Sequence, residues 1–304
     1  MDTKPLVIVC DGMQIKLFNE LKTFSNLTVA EKAQYTRDEI IGFGTKAKVL
    51  VVRSATKVDK ALIDLLPNLK LVIRAGEGMD NIDIPYAQSK GIKTTNTPGA
   101  NGNAAAELAV SMMMSLLRHI PFVHTSMQQG KWDKKSFVGN ELTHKKIGIL
   151  GFGKIGQTVA KRLQGFEVET LYYDPTVNLG APYKKCSTIE EVLTSSDIVS
   201  LHLPLIPETK NLLNFDKISL MKKTALLVNC ARGGIIVEND LIKALQEGII
   251  AGAGLDVFET EPLSENSPLR QCPRLLLTPH LGASTQEAEW RVGEMVLAIL
   301  RESF

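Results

Sequence analysis

Short apolar runs alternate with helix-length segments along the whole of this chain. In the first third the runs Leu6–Cys10, Val49–Arg53, Leu69–Arg74 and Ile92–Thr95 read as strands. Further along, Ile147–Leu150, Glu169–Tyr173, Ile198–Leu203, Ala225–Asn229, Gly252–Val257 and Leu275–Thr278 read the same way. Strands separated by helical segments predict α/β architecture, with parallel sheets covered by helices. The strand–helix units fall into two groups on either side of Asn96-Thr97-Pro98-Gly99, and the Pro-Gly pair predicts a hinge there.

Beyond the hinge, Ala104–Leu117 is apolar nearly all round apart from Glu107 and two serines, the signature of a helix buried on most faces. A core helix at a domain junction and a helix in a subunit interface both fit. The stretch Ile120–Leu142 has no clean period and reads as a surface connection. A last helix is expected over Thr285–Arg301, with no strand behind it.

A length of 304 residues suits two domains, and a hydrophobic fraction of 44% gives each a core. The 35 Lys+Arg nearly cancel the 33 Asp+Glu, so the net charge of +2 argues against a global surface for nucleic acid or other polyanions. No apolar run approaches the ~20 residues of a membrane span, and the N-terminus carries no secretory core. Cys10, Cys186, Cys230 and Cys272 are scattered without a CxxC pair. They fit reduced thiols in a cytoplasmic protein better than disulfides or a metal site.

Chemistry enters with Gly151-Phe152-Gly153-Lys154-Ile155-Gly156, a GxGxxG between the strand Lys146–Leu150 and a helix over Gln157–Leu163. Gly151 permits the tight turn, Gly153 a close approach of pyrophosphate, and Gly156 close helix–strand packing. Free N–H groups at the helix start, including those of Lys154 and Ile155, would receive the anion. Asp174 ends the next strand at the offset of a ribose-binding acid. A carboxylate there repels a 2′-phosphate, and Tyr172-Tyr173-Asp174-Pro175 holds no Arg, so NAD is expected over NADP.

Three strand ends later in the chain supply Arg232, Glu261 and His280. An Arg binds a carboxylate with two donors and keeps its charge. A His exchanges protons near neutral pH, and a carboxylate on its far nitrogen sets its tautomer. Singly, each has a plain reading: a loop tie for Arg232, a solvated turn residue for Glu261, a helix cap for His280. Jointly, after a dinucleotide fold, they form a catalytic set.

Asn229–Gly234 with Ile235-Ile236-Val237-Glu238, Gly254–Phe258 with Glu261-Pro262, and Pro279–Thr285 resemble the signatures of the D-2-hydroxyacid dehydrogenase family, and the match covers nearly the whole chain. The resemblance implies that Arg232, Glu261 and His280 are catalytic and that Asp256 meets the nicotinamide carboxamide. It also implies that Leu203, Pro204, Cys230, Ala231 and Gly282 line the cofactor. The tail helix would return to the first domain. A Rossmann domain over 99–282 would then be inserted into a flavodoxin-like substrate domain of 1–98 plus 283–304. Both domains would be doubly wound, and a homodimer is expected. Formate dehydrogenases share the fold, but their pattern has Gln where Glu261 stands.

Within that family, Val51–Val58, Ile73–Asp83 and Gly130–Phe137 resemble the phosphoglycerate dehydrogenase branch. The expected substrate-binding residues are Arg53, Ser54 and Arg74, with Ala75 and Gly76 offering backbone N–H groups. Glu77 departs from the branch, which commonly has Thr or a small apolar residue there. Nothing follows Phe304, so regulation through an appended domain is not expected. The implied reaction is NAD-dependent oxidation of D-3-phosphoglycerate, the first step of serine biosynthesis. Glyoxylate or hydroxypyruvate reduction is the alternative, and an NAD(H)-sensing, corepressor-like binding protein is a third reading.

Overall fold

The computed structural model describes residues 4–304, which divide into two compact units. One holds the residues up to Asn101 together with Ala283–Phe304, and the other holds Gly102–Gly282.

The first unit is built on β1 (Leu6–Val9), β2 (Thr28–Val29), β3 (Ala47–Val52), β4 (Leu71–Arg74) and β5 (Lys93–Asn96). All pair in parallel, in the order β2-β1-β3-β4-β5. That order is the flavodoxin-like winding. Alternation sends Val7, Val9, Val49 and Val51 to one face and Ile8, Cys10, Leu50 and Val52 to the other, and both faces are buried. The tail helix Gln286–Ser303, capped by Thr285, packs Val292, Val296, Leu297 and Leu300 into the first of these faces with Leu17 and Leu21. It is tied down by Arg291 Nε donating to the Ala100 carbonyl (2.9 Å) and by an Arg301–Glu20 ion pair (2.6 Å).

The second unit contains β6 (Lys146–Leu150), β7 (Glu169–Tyr173), β8 (Lys184–Lys185), β9 (Ile198–Leu201), β10 (Leu226–Asn229), β11 (Gly252–Leu255) and β12 (Leu275–Leu277). These strands too are all parallel, in the order β12-β11-β10-β9-β6-β7-β8. The winding reverses between β6 and β9, the topological switch point where a doubly wound sheet opens a crevice at its carboxyl ends. The two-residue strands β2 and β8 are too short to leave a sequence pattern.

The helix Gly102–Leu117 buries nine residues and shares a core with Ile147, Ile149 and Val228. Its apolar character is therefore used within its own unit. The surface connection expected over Ile120–Leu142 begins as a helix, Ile120–Gln128, with Pro121 in its first turn. None of its residues is fully buried, although Phe122 packs partly buried against the core that holds Met113 and Leu117, and nine residues are too few to set a clear period. His119, in the left-handed region (φ 53°), marks the turn between the two helices, which are bent by 61°. No single helix among the described residues is long and apolar enough to cross a membrane. All four cysteines are unpaired.

Candidate active site

The fingerprint turn is shaped by close backbone approaches. Gly151 has φ 88°, and a Cβ there would lie 2.5 Å from the His202 carbonyl across the switch point. A Cβ on Gly156 would lie 2.3 Å from the Gly151 carbonyl. Gly153, by contrast, faces open space and begins the helix Lys154–Leu163 with no side-chain cap. The first N–H groups of that helix, at Lys154 and Ile155, thus border a cradle that a phosphate can enter. Phe152 points the other way, fully buried and stacked on Tyr172 at 4.0 Å.

Asp174 follows β7 and is largely engaged by its own chain. Oδ2 accepts from Phe152 N (2.8 Å), and Oδ1 accepts from Thr176 N, Thr176 Oγ1 and Val177 N. Burial pushes this carboxyl up, but the N–H groups of Val177, Thr176 and Phe152 outweigh that and hold its pKa below the ordinary value. A carboxylate has about four acceptor sites, so Oδ2 keeps room for a further donor such as a ribose hydroxyl. The residue also anchors the fingerprint turn, a role that spacing alone does not reveal.

The three expected catalytic residues leave neighbouring strands of the second unit. Arg232 follows β10, where Asn229 shapes the loop by donating to the Arg232 carbonyl (2.8 Å) and accepting from Ala231 N (3.0 Å). The Arg232 guanidinium donates to the Ala231 carbonyl at 2.6 Å. Glu261 follows β11, and its Oε1 accepts from Phe258 N (3.1 Å). His280 follows β12 with a left-handed backbone (φ 54°), and its Nδ1 lies 2.6 Å from Glu261 Oε2. Burial pushes the Glu261 carboxyl up. The hydrogen bond and charge of His280, the Phe258 N–H and the Arg232 charge outweigh it and hold the carboxyl below the usual glutamate range. An ionised carboxylate only accepts, so Nδ1 carries the proton and Nε2 is the nitrogen left able to accept one.

Asp256 is fully buried and its oxygens are spent on the His280 loop. Oδ1 accepts from Thr278 Oγ1 (2.6 Å) and Leu281 N (2.7 Å), and Oδ2 accepts from Gly282 N (2.9 Å). Its backbone carbonyl accepts from His280 N (2.8 Å). Burial outweighs these contacts and raises its pKa. The structure therefore places Asp256 and Gly282 in the scaffold that aims His280. Leu203 and Pro204 lie just past His202 after β9, Cys230 and Ala231 follow β10 directly, and the Cys230 thiol is buried with its pKa pushed up by that burial. Among the other histidines, His202 is pushed down to about 4 by desolvation and stays uncharged at neutral pH.

The expected substrate-binding residues lie in the first unit at the carboxyl ends of the adjacent strands β3 and β4. The turn they occupy corrects one expectation. The Ala75 and Gly76 N–H groups are not free donors, since Ala75 N donates to the Val52 carbonyl (2.8 Å) and Gly76 N to the Arg74 carbonyl (2.9 Å). Continuation of the strand ladder takes the first, and the bend at Gly76 takes the second. Arg74 closes over this turn, with one guanidinium nitrogen donating to the Ala75 carbonyl (2.7 Å) and Nε to Asn81 (3.3 Å). Arg53 pairs with Glu289 of the tail helix at 3.2 Å, and Ser54 follows it in the same loop. Glu77 accepts from Gly99 N at 2.5 Å, so its side chain holds the Pro98-Gly99 segment. Nearby, Thr97 Oγ1 and Asn101 Oδ1 are buried without a partner. Both are short polar residues beside Pro98-Gly99, where a sequence reading sees only turn chemistry.

The NAD binding domain of D-isomer specific 2-hydroxyacid dehydrogenase matches residues 110–282. Over 296 residues the chain is 43% identical to a D-3-phosphoglycerate dehydrogenase of Sus scrofa, covering 95% of this chain and 55% of that protein. It is likewise 43% identical over 272 residues to a hydroxypyruvate reductase of Thermotoga maritima, covering 88% of each. The NAD-dependent formate dehydrogenase from Staphylococcus aureus, solved in complex with NAD, superposes with a TM-score of 0.86 at 32% identity, covering 98% of this chain and 95% of that one. The chain belongs to the D-isomer specific 2-hydroxyacid dehydrogenases, and its Gly102–Gly282 unit is the NAD-binding domain of that family. It spans about half the length of the phosphoglycerate dehydrogenases it matches.

The Glu261–His280 pair has a pH signature. A carboxyl whose pKa is depressed by folding stabilises the protein above its unfolded pKa, and this contribution fades as pH falls through the folded value. Glu261→Gln is expected to be less stable than the parent at neutral pH, with the difference shrinking below about pH 4. Urea unfolding at several pH values checks this. A difference independent of pH would contradict the pairing.

Proposed function

We propose that this protein is an NAD-dependent oxidoreductase of D-2-hydroxy acids and that its substrate is D-3-phosphoglycerate, oxidised at C2 to 3-phosphohydroxypyruvate. The observation that carries the oxidoreductase reading is the 2.6 Å contact between His280 Nδ1 and Glu261, with Arg232 on the neighbouring loop. Arg232 grips the substrate carboxylate and polarises the oxygen on C2. His280 Nε2 takes the hydroxyl proton during oxidation and returns it during reduction. Glu261 keeps Nδ1 protonated and stabilises the imidazolium formed when Nε2 gains its proton. NAD, when bound, supplies the hydride acceptor. The fingerprint turn and the start of the helix Lys154–Leu163 would hold its pyrophosphate, and Asp174 its ribose.

The phosphate in the substrate rests on the Val51–Val58 and Ile73–Asp83 segments and on the likeness to phosphoglycerate dehydrogenases. A second reading, reduction of hydroxypyruvate or glyoxylate, is favoured by two observations. The hydroxypyruvate reductase relative is equally similar over a chain of nearly the same span. Arg53, the expected phosphate ligand, already has a carboxylate partner in Glu289. The four unpaired thiols suit a reducing, cytoplasmic setting. The family resemblance supports a homodimer, and exposed Trp132 and Val138, in the segment that follows the Ile120–Gln128 helix, are the apolar side chains it would cover. Light scattering should then give twice the chain mass, and Trp132→Lys with Val138→Lys should shift it toward the single-chain value. A parent protein that is already monomeric would remove the dimer.

The decisive assay follows NADH absorbance with phosphohydroxypyruvate, hydroxypyruvate and glyoxylate. His280→Ala is expected to lower kcat about 10²–10⁴-fold, the usual worth of a placed acid–base, while NADH still binds. Near-normal turnover would overturn the assignment, and no turnover by the parent with any of the three would favour a binding protein. For the cofactor, NAD should be used far better than NADP, and Asp174→Ala should erode the preference at about 1.5–3 kcal/mol per lost hydrogen bond. Equal efficiency with both cofactors in the parent would contradict it. For the substrate, Arg53→Ala should cut kcat/KM for phosphohydroxypyruvate roughly ten- to hundredfold and spare hydroxypyruvate. Equal losses on both would assign Arg53 to its Glu289 pair and remove it as the phosphate ligand.

A further inference from the structure

The loops that carry Arg232 and Glu261 are joined by a feature the chemistry above does not use. Glu238, the first residue of the helix Glu238–Gln246, and Glu259, two residues before Glu261, exchange hydrogen bonds reciprocally. Glu238 N donates to Glu259 Oε1 at 3.1 Å, and Glu259 N donates to Glu238 Oε1 at 2.7 Å. The same two segments touch through their backbones, since a Cβ on Gly233 would fall 1.8 Å from the Phe258 carbonyl. At their roots Asp256 N donates to the Asn229 carbonyl at 2.9 Å. The two segments are thus tied at the strand ends, at Gly233/Phe258 and at the glutamate pair.

Two carboxylates brought together repel each other, a cost offset by the backbone N–H that each accepts and by the place of Glu238 in the first turn of a helix. Side chains that break a local rule without raising stability are commonest where geometry serves function. Here each carboxylate caps the backbone of the opposite loop, one carrying the residue that would hold the substrate and the other the residue that orients the base.

We propose that Glu238 and Glu259 act as a paired clamp that fixes the spacing between Arg232 and the Glu261–His280 pair, and are positioning residues for the reaction. This rests on the 2-hydroxyacid dehydrogenase reading. The clamp reaches substrate only through its neighbours: Arg232 sets how the carboxylate is held, and Glu261 sets how His280 is aimed. A displacement of about 1 Å at such a site costs on the order of a hundredfold in rate.

The test is a set of variants in the full chain: Glu238→Ala, Glu259→Ala, the double Ala variant, and each single Gln variant, assayed with hydroxypyruvate and NADH. Each Ala variant is expected to lower kcat/KM at least tenfold through both KM and kcat, with NADH affinity, read by fluorescence titration, unchanged. The Gln variants keep an acceptor oxygen and should recover most of the activity. The double variant should lose no more than either single one, as expected when two residues form one unit. Additive losses, Gln variants as damaged as Ala, or unaltered Ala variants would overturn the clamp. Hydrogen exchange supplies a readout independent of turnover: Glu259→Ala should speed exchange across residues 232–238, and Glu238→Ala across residues 258–261. If the parent reduces no 2-oxo acid, the enzymatic reading falls and the exchange data still decide whether the clamp exists. Unchanged exchange in both variants would eliminate it.

Discussion

A parallel sheet presents all its carboxyl ends along one edge, and the chemistry of the Gly102–Gly282 unit depends on that edge. Because β12, β11, β10, β9 and β6 run side by side in one direction, the loops bearing His280, Glu261, Arg232 and the fingerprint turn emerge next to one another. The strand pairings themselves gather them. The reversal between β6 and β9 then opens the edge where the Gly151 turn passes the His202 carbonyl, and only a residue without a Cβ tolerates that passage.

Loops at a sheet edge are mobile by default, and this edge is stiffened by carboxylates and amides turned onto backbone N–H groups. Asn229 shapes the Arg232 loop, Asp256 the His280 loop and Asp174 the fingerprint turn. Each is buried or nearly so, which makes the alternative, an unmet polar group, costly at about 1–3 kcal/mol. Residues that a sequence reading assigns to ligand contact are in this sense also the scaffold. Asp256 is the clearest case: three hydrogen bonds to residues 278–282 occupy a carboxylate that no solvent reaches.

What was legible in the chain follows from what leaves a local trace. The parallel α/β character was legible because strands such as Glu169–Tyr173 and Ile198–Leu201 are continuous apolar or β-prone runs. The fingerprint was legible because Gly151, Gly153 and Gly156 answer distinct steric demands at fixed spacing. The helix Ile120–Gln128 left little trace because it is nine residues long and buries none of them fully. The Arg53–Glu289 pair joins residues far apart in sequence through the return of the tail helix, and strand–helix alternation cannot announce such a meeting. The engaged N–H groups at Ala75 and Gly76 depend on one bend in the backbone, which the residue types permit but do not dictate.

The central claim is that Glu261 is an ionised acceptor holding the Nδ1 proton of His280, so that Nε2 is the working nitrogen. Nitrogen NMR of the ¹⁵N-histidine-labelled protein, with the His280 signals assigned by a His280→Gln variant, reads this directly. The account predicts a protonated Nδ1 and a bare Nε2 whenever His280 is uncharged. A bare Nδ1 with the proton on Nε2 would contradict it, because Glu261 would then have to be the protonated partner and Nε2 could not accept a substrate proton.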